Sequence, residues 1–313
     1  MKKLFVAITI MLVALNANAC SICGCGGGNL YLGLYPSFDT KFIGVRYTYG
    51  DYRTLLKNDN TQFSNNTYHS YEIYAGFNLT KKWQVFTFIP YQVNHQVSDD
   101  GKSTNQGIGD ITILTNYQIY NYHKVVDDKK LVTHKIWLGG GIKLKTGAFN
   151  IDAHDPTTTL ADVNAQMGTG STDFLLNVRD VYQVEDLGFA TTANYKINSK
   201  NNQGYQFGDK FTFNTIAYYN LSSKNTVVTP NIGLKYETVA GNKLDGSLIY
   251  LTEGLDNGSY HTGGNTFSGI GGIEVNVKKV SFGLNVQAPI QQDVASGQVN
   301  LKWKGLFHMT FSF

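Results

Sequence analysis

Residues 301–313 read Leu301-Lys302-Trp303-Lys304-Gly305-Leu306-Phe307-His308-Met309-Thr310-Phe311-Ser312-Phe313. Leu301, Trp303, Phe307, Met309, Phe311 and Phe313 occupy alternate positions. In an extended strand they share one face, because successive side chains point to opposite sides. The habit recurs upstream. Val85, Ile89, Tyr91 and Val93 oppose Gln84, Gln92, Asn94 and Gln96, and Ile111, Ile113, Tyr117 and Ile119 oppose Asp110, Thr112, Asn116 and Gln118. Phe211, Phe213, Ala217 and Tyr219 face away from Thr212 and Asn214, and Val280, Phe282, Leu284 and Val286 from Ser281, Gly283, Asn285 and Gln287.

A soluble sandwich alternates too, so the pattern alone does not choose between water and lipid. Strand length does better: the segments reach the roughly 9 to 11 residues that a tilted transmembrane strand needs. Connections also alternate in length. They are short near 80–82, 185–186, 221–225 and 278–279, and long over about 54–66, 96–107, 146–170, 198–208 and 238–262. Outer-membrane barrels pair short periplasmic turns with long extracellular loops in this way. The aromatic-terminated segment ending in Phe313 looks like the last strand by which such barrels are recognised for insertion.

The expected fold is therefore all-β, a transmembrane antiparallel up-and-down barrel. About twelve strands are centred near residues 47, 73, 89, 115, 139, 178, 193, 214, 232, 270, 285 and 307. Residues 243–253 are assigned to an extracellular loop, since single-chain bacterial barrels have even strand counts. Fourteen strands result if Asn29 to Tyr35 also joins the wall.

Three regions precede or make up this fold. Residues 1–19 read as a signal peptide, with Lys2 and Lys3, the apolar run Leu4 to Leu15, and Ala17-Asn18-Ala19 as a small-residue cleavage site. Residues 20–39 form a Cys/Gly-rich segment, and 40–313 the barrel. Charged residues make up only 16% of the chain, while 20 Tyr and 18 Phe stand against 5 Pro, a balance that suits long strands with interfacial aromatic girdles. Of 26 basic residues, loss of Lys2 and Lys3 leaves 24 against 23 acidic, so nothing asks for a nucleic-acid partner. The expected location is the Gram-negative outer membrane, with the mature N-terminus periplasmic and outer-membrane lipid around the barrel.

From Gly107 onward, several loop-to-strand signatures occur in order: Gly107-Ile108-Gly109-Asp110, Gly168-Thr169-Gly170-Ser171-Thr172-Asp173-Phe174, Gly204-Tyr205-Gln206-Phe207-Gly208-Asp209, and Gln287-Ala288-Pro289-Ile290-Gln291. Over some two-thirds of its length the chain thereby resembles a family of bacterial outer-membrane barrels described as transporters and linked to a phenol-degradation (MetA) pathway. The resemblance implies passive or facilitated uptake of small molecules, apolar or aromatic ones among them. It carries over no catalytic residue, and the N-terminal cysteines depart from the family pattern.

With the greasy face outward, the lumen-facing set includes Arg46, Glu72, Asp110, Lys143, Lys145, Asp173, Arg179, Lys196, Lys235, Glu237, Glu274, Lys304 and His308. Both signs occur. Such charges either steer a polar solute or pair and fill the interior, as in small barrels. A narrow or plugged channel is the expectation for twelve strands.

All three cysteines lie in Cys20-Ser21-Ile22-Cys23-Gly24-Cys25-Gly26-Gly27-Gly28. Cys-x-x-Cys-x-Cys with flanking glycines lets Cys20, Cys23 and Cys25 converge, and their thiolates suit Cu(I) or Zn(II). A structural disulfide and a lipidated Cys20 are the competing readings. Asp152-Ala153-His154-Asp155 in the longest loop has cation-binding residue types, though polar loop residues are usual. His69, His95 and His134 fall on outward positions near strand ends. No Gly-x-Ser-x-Gly, Walker or zinc-protease signature is present, and an enzyme is not expected, although His308 could find a serine neighbour. The functional expectation is a transporter or channel for a small solute, linked to a soft metal ion or a periplasmic partner through the cysteines. The alternative is a non-transporting barrel that serves as an anchor or assembly component.

Overall fold

A computed structural model describes residues 41–56, 59–98, 101–126, 130–155, 158, 160–251, 260–295 and 297–313. Twelve strands form the wall. They are β1 (Phe42–Leu56), β2 (Asp59–Asn78), β3 (Trp83–Ser98), β4 (Thr112–Val126), β5 (Lys130–Lys143) and β6 (Asp173–Val184), then β7 (Leu187–Ile197), β8 (Lys210–Tyr219), β9 (Thr226–Val239), β10 (Gly264–Val277), β11 (Val280–Val294) and β12 (Val299–Ser312). Each pairs antiparallel with its sequence neighbours. β1 pairs with β12 from Phe42↔Ser312 to Thr54↔Val299, which closes the barrel.

The alternation seen in the sequence becomes two walls. Outward side chains such as Val45, Ile73, Leu176, Ile232, Leu284 and Phe307 are exposed around the whole circumference. A continuous apolar belt on a closed barrel is a surface for hydrocarbon, since exposed apolar patches on soluble monomers rarely exceed a few hundred Å². Aromatic side chains border the belt. Tyr49 packs on Trp303 with ring centroids 4.7 Å apart, and His69 meets His95 at 5.5 Å toward one end. Trp83 and Tyr117 meet at 4.9 Å, and Phe311 stacks on Phe313 at 6.3 Å, toward the other.

Inward glycines organise the interior. Gly139 on β5 lies in register between Asn116 on β4 and Asn177 on β6. A Cβ there would overlap the Asn116 amide, so Asn116 leans across the glycine. Gly76 receives Phe42 and Phe86 in the same way, Gly44 receives Tyr74, and Gly188 receives Tyr218. The leaning side chain reaches a partner two strands away: Tyr74 Oη bonds Thr310 Oγ1 across Gly44, and Tyr218 Oη donates to Gln183 Oε1 at 3.0 Å across Gly188. Glycine weakens a strand by itself; here it opens space that a large neighbour fills.

Three expectations need correction. Leu301 is buried in a cluster with Tyr52, Tyr68, Val294 and Val299 instead of sharing the outward face of Trp303. A bulge opposite Asp51/Tyr52 pairs Asp51 with Trp303 and Tyr52 with Leu301, and this slip reverses the facing. The spans 54–66 and 96–107 are largely paired strand: β1 and β2 run on toward each other, and Gly101–Ile108 folds back on β3. Polar sequence marks where a strand leaves the apolar belt, not where its ladder stops. Lys145 lies past the end of β5 and is exposed. Residues 243–248 sit outside the wall, in a small sheet with Tyr205–Gln206.

Candidate functional site: the barrel interior

Near the end bearing the short turns, the interior is apolar. Phe42, Tyr74, Phe86, Phe88, Leu114 and Trp137 form one cluster across β1 to β5, each at most 4% exposed. Their positions alternate with the lipid-facing residues, and periodicity could not tell an aromatic lining from an aromatic exterior. Beside them runs a row of charges on register-opposed positions. Glu72 opposes Arg46, Arg46 opposes His308, and Gly283 stands between His308 and Glu274. Arg46 bonds Glu72 and lies 5.6 Å from the ring centroids of both Tyr74 and Phe88. His308 Nε2 is 3.0 Å from Glu274 Oε1 across the bare face of Gly283.

Near the other end, Asp110 and Asp173 clamp the Lys143 ammonium; its distance to Asp173 is 2.9 Å, and Lys196 approaches Asp173 at 3.5 Å. Backbone N–H groups complete this hub. Gly147 donates to Asp110 Oδ1 and Thr169 to Asp110 Oδ2, both at 2.9 Å, and Ser199 donates to Asp173 Oδ1 at 3.0 Å. The buried charges thus hold both ends of the 144–172 connection against the barrel rim. Charge pairs this deep act through geometry as much as net stability, because desolvation offsets most of their attraction.

That connection then crosses the mouth. It carries a short helix, Leu160–Asn164, and buries Val163, Ala165 and Met167. Lumen-facing Asn94 on β3 donates to the Ala165 carbonyl at 3.0 Å, and Gln96 reaches Asp162 at 3.5 Å. Val163 packs with Tyr205 and Phe207, backed by Phe149, Ile151, Leu244 and Ile249. The long connections therefore share a small apolar core of their own. His154 Nε2 bonds Asp245 Oδ2 at 3.0 Å, and with Asp152 3.7 Å from its Nδ1 the ring is held above the usual imidazole range, the Asp245 hydrogen bond being the main cause.

Among the described residues, two recesses lie along β8 to β12 and β1. One recess is lined by Tyr52, Lys210, Glu237, Gln287 and Lys304 among others. A second shares Gln287 and Lys304 and adds Thr48, Lys235 and Asn285. Glu237 takes Lys210 at 2.9 Å and Lys235 at 3.0 Å. Lys304 Nζ lies 5.4 Å from the Tyr52 ring centroid.

The structure thus places Arg46, Glu72, Asp110, Lys143, Asp173, Arg179, Lys235, Glu274 and His308 on the buried, inward face. It separates them into the charge row, the rim hub and the lysine recess, with Arg179 register-opposed to Trp137. Lys210 also belongs to the recess; its place next to the long 198–208 connection hides its inward parity in the sequence. His308 bonds Glu274, Tyr74 and Thr310. Cys20, Cys23 and Cys25, residues 1–19 expected as a signal peptide, and Asn29 to Tyr35 lie outside the described residues. Among the described residues no group of three His, Cys, Asp or Glu side chains converges as a metal site.

No protein-family model and no curated protein matches the chain. Among solved structures, an outer membrane channel from Pseudomonas putida F1 superposes with a TM-score of 0.57 at 12% identity, over 88% of this chain and 96% of that one. The chain has the fold of an outer-membrane β-barrel. The beta domain of the Bordetella autotransporter BrkA gives 0.49 at 10% identity, over 88% of this chain and all of that one. The transport unit of the autotransporter AIDA-I from Escherichia coli gives 0.47 at 10%, over 91% and 94%.

Proposed function

We propose that this protein is an outer-membrane channel or transporter for a small solute, with the short turns facing the periplasm. The observation that supports this most directly is the unequal filling of the interior. An aromatic cluster and a tucked connection fill part of the lumen, while among the described residues a polar recess lies along β8 to β12 and β1. Twelve strands lie between eight-strand barrels packed with side chains and the open sixteen-strand porins, so a narrow passage suits the geometry. The similar fold of the Pseudomonas channel supports the reading at the level of fold. The test is single-channel recording of the purified mature barrel in planar bilayers, with uptake into liposomes in parallel. Small discrete conductance steps are expected. Neither conductance nor uptake would leave the non-transporting anchor as the better reading.

The Cys20-x-x-Cys23-x-Cys25 spacing supports a second element of the proposal, a soft ion such as Cu(I) or Zn(II) held by three thiolates, which could also engage a periplasmic partner. Intact mass of the mature protein tests it. A metal adduct lost in Cys23→Ser is expected; added acyl mass or the loss of two hydrogens would replace it with lipidation or a disulfide.

A further inference from the structure

We propose that residues 29–35 dock as an added strand on the edge of β4, along residues 119–126, at the end of the barrel that bears the short turns. They form a thirteenth strand outside the twelve-strand wall, antiparallel to β4. The proposal stands apart from the channel reading.

A step in the wall is the first ground. β3 pairs with β4 from Phe88↔Thr112 to Trp83↔Tyr117, and the Gln118 N–H donates to the Lys82 carbonyl at 2.8 Å, in the turn between β2 and β3. β4 runs on past that turn to Val126. Its other side stays paired with β5 down to Val126↔Lys130, and β5 with β6 to Val132↔Val184. A bulge between Gln118 and Tyr120 marks the start of this projecting part, and pairing is regular beyond it. Residues 119–126 therefore have one side in a ladder and, among the described residues, no strand on the other. Alternate N–H and C=O groups point out of the sheet on that side. Native sheets blunt or cover such edges; this one holds no Pro and exposes Ile119, Tyr120 and Val125.

The occupant follows from where β1 begins. Lys41 lies at the same end of the barrel, its carbonyl accepting from the Phe313 N–H at 2.9 Å, and Phe42 opens β1. β4 is three strands along, roughly 14 Å at about 4.8 Å per strand, and residues 36–41 reach roughly 20 Å when extended. A segment leading into β1 travels toward the wall, whereas 119–126 travels away from it, so the two meet antiparallel. Residues 29–35 read Asn-Leu-Tyr-Leu-Gly-Leu-Tyr, follow Gly26-Gly27-Gly28 and stop at Pro36, which cannot continue a ladder. Extended, they place Leu30, Leu32 and Leu34 on one face and Tyr31 and Tyr35 on the other. The tyrosine face matches its neighbours: Tyr122, His134 and Tyr182 stand in register on β4, β5 and β6, the last two rings 5.5 Å apart, and aromatic cross-strand pairs stabilise a sheet. A tethered strand also has a local concentration that a partner in solution lacks.

Hydrogen–deuterium exchange on the full mature barrel in detergent, with sedimentation in parallel, tests this. In the wild type, a monomer, the alternate amides of 119–126 that point away from β5 should be protected. Leu32→Pro lies outside the wall and breaks the added ladder, so it should speed exchange at those amides about tenfold or more while the amides shared with β5 keep their rates. Retained heat-modifiable mobility on gels establishes that the variant barrel is folded. Edge amides that exchange freely in the wild type would overturn the proposal. So would protection that survives Leu32→Pro: in a dimer it would assign the edge to a second copy of the chain, and in a monomer to another segment.

Discussion

Gly139 shows what one residue can decide inside this barrel. It lacks a Cβ where Asn116 leans across, and the Thr115 carbonyl lies 2.7 Å from the place a Cβ would take. Gly139→Val must displace a buried amide and press on backbone. It should cost about 1–3 kcal/mol, read from urea unfolding in detergent micelles. Gly271, whose Cβ position is open, is the control and should tolerate Ala with little change. The sequence shows these glycines but not their use, because the side chain filling each one belongs to another strand and register alone brings them together. His154 offers a second test at this scale. Its pKa is raised in the folded protein by Asp245, so the tie between the two loops is fully present below the ordinary imidazole pKa and is lost as pH rises through the raised value. Proteolytic nicking of residues 240–249 should therefore increase with pH across that window, and Asp245→Asn should remove the dependence. A nicking rate flat with pH in the wild type would rule the tie out.

Among the elements, β11 carries the plainest lipid face, with Phe282, Leu284 and Val286 outward and Ser281, Gly283 and Asn285 inward. Leu284→Arg should destabilise the barrel by about 2–4 kcal/mol if it sits near the bilayer midplane. The same unfolding assay in lipid vesicles checks this. Strict alternation made such strands legible from residues alone, and all twelve centres read from the sequence fall within wall strands. The β12 strand shows the limit. Its alternation continues in sequence through Leu301, but one bulge moves Leu301 inward. Strand ends are less legible, because Asn- and Ser-rich stretches such as 59–66 remain in the ladder beyond the apolar belt.

For the whole molecule, the 144–172 connection is the element tied to the lumen-facing side of β3. It is pinned at its base by Lys143 and the two aspartates and reaches β3 through Asn94 and Gln96. Replacing Asn94 and Gln96 together by Ala should free its tip and raise single-channel conductance. Unchanged conductance would place the constriction instead at the aromatic cluster of Phe42, Tyr74, Phe86 and Trp137.

The sequence by itself determined the two-faced strand and the place of each wall strand's centre, because period-two patterning is a local property that each segment states alone. Only the tertiary structure decided which inward residues meet. The Arg46–Glu72 pair, the His308–Glu274 contact across Gly283, and the convergence of Lys210, Lys235 and Lys304 depend on register between strands distant in sequence and on closure of β1 against β12. Side chains from far-apart segments share a lumen only once the sheet has curled shut, and no single stretch of sequence encodes that proximity.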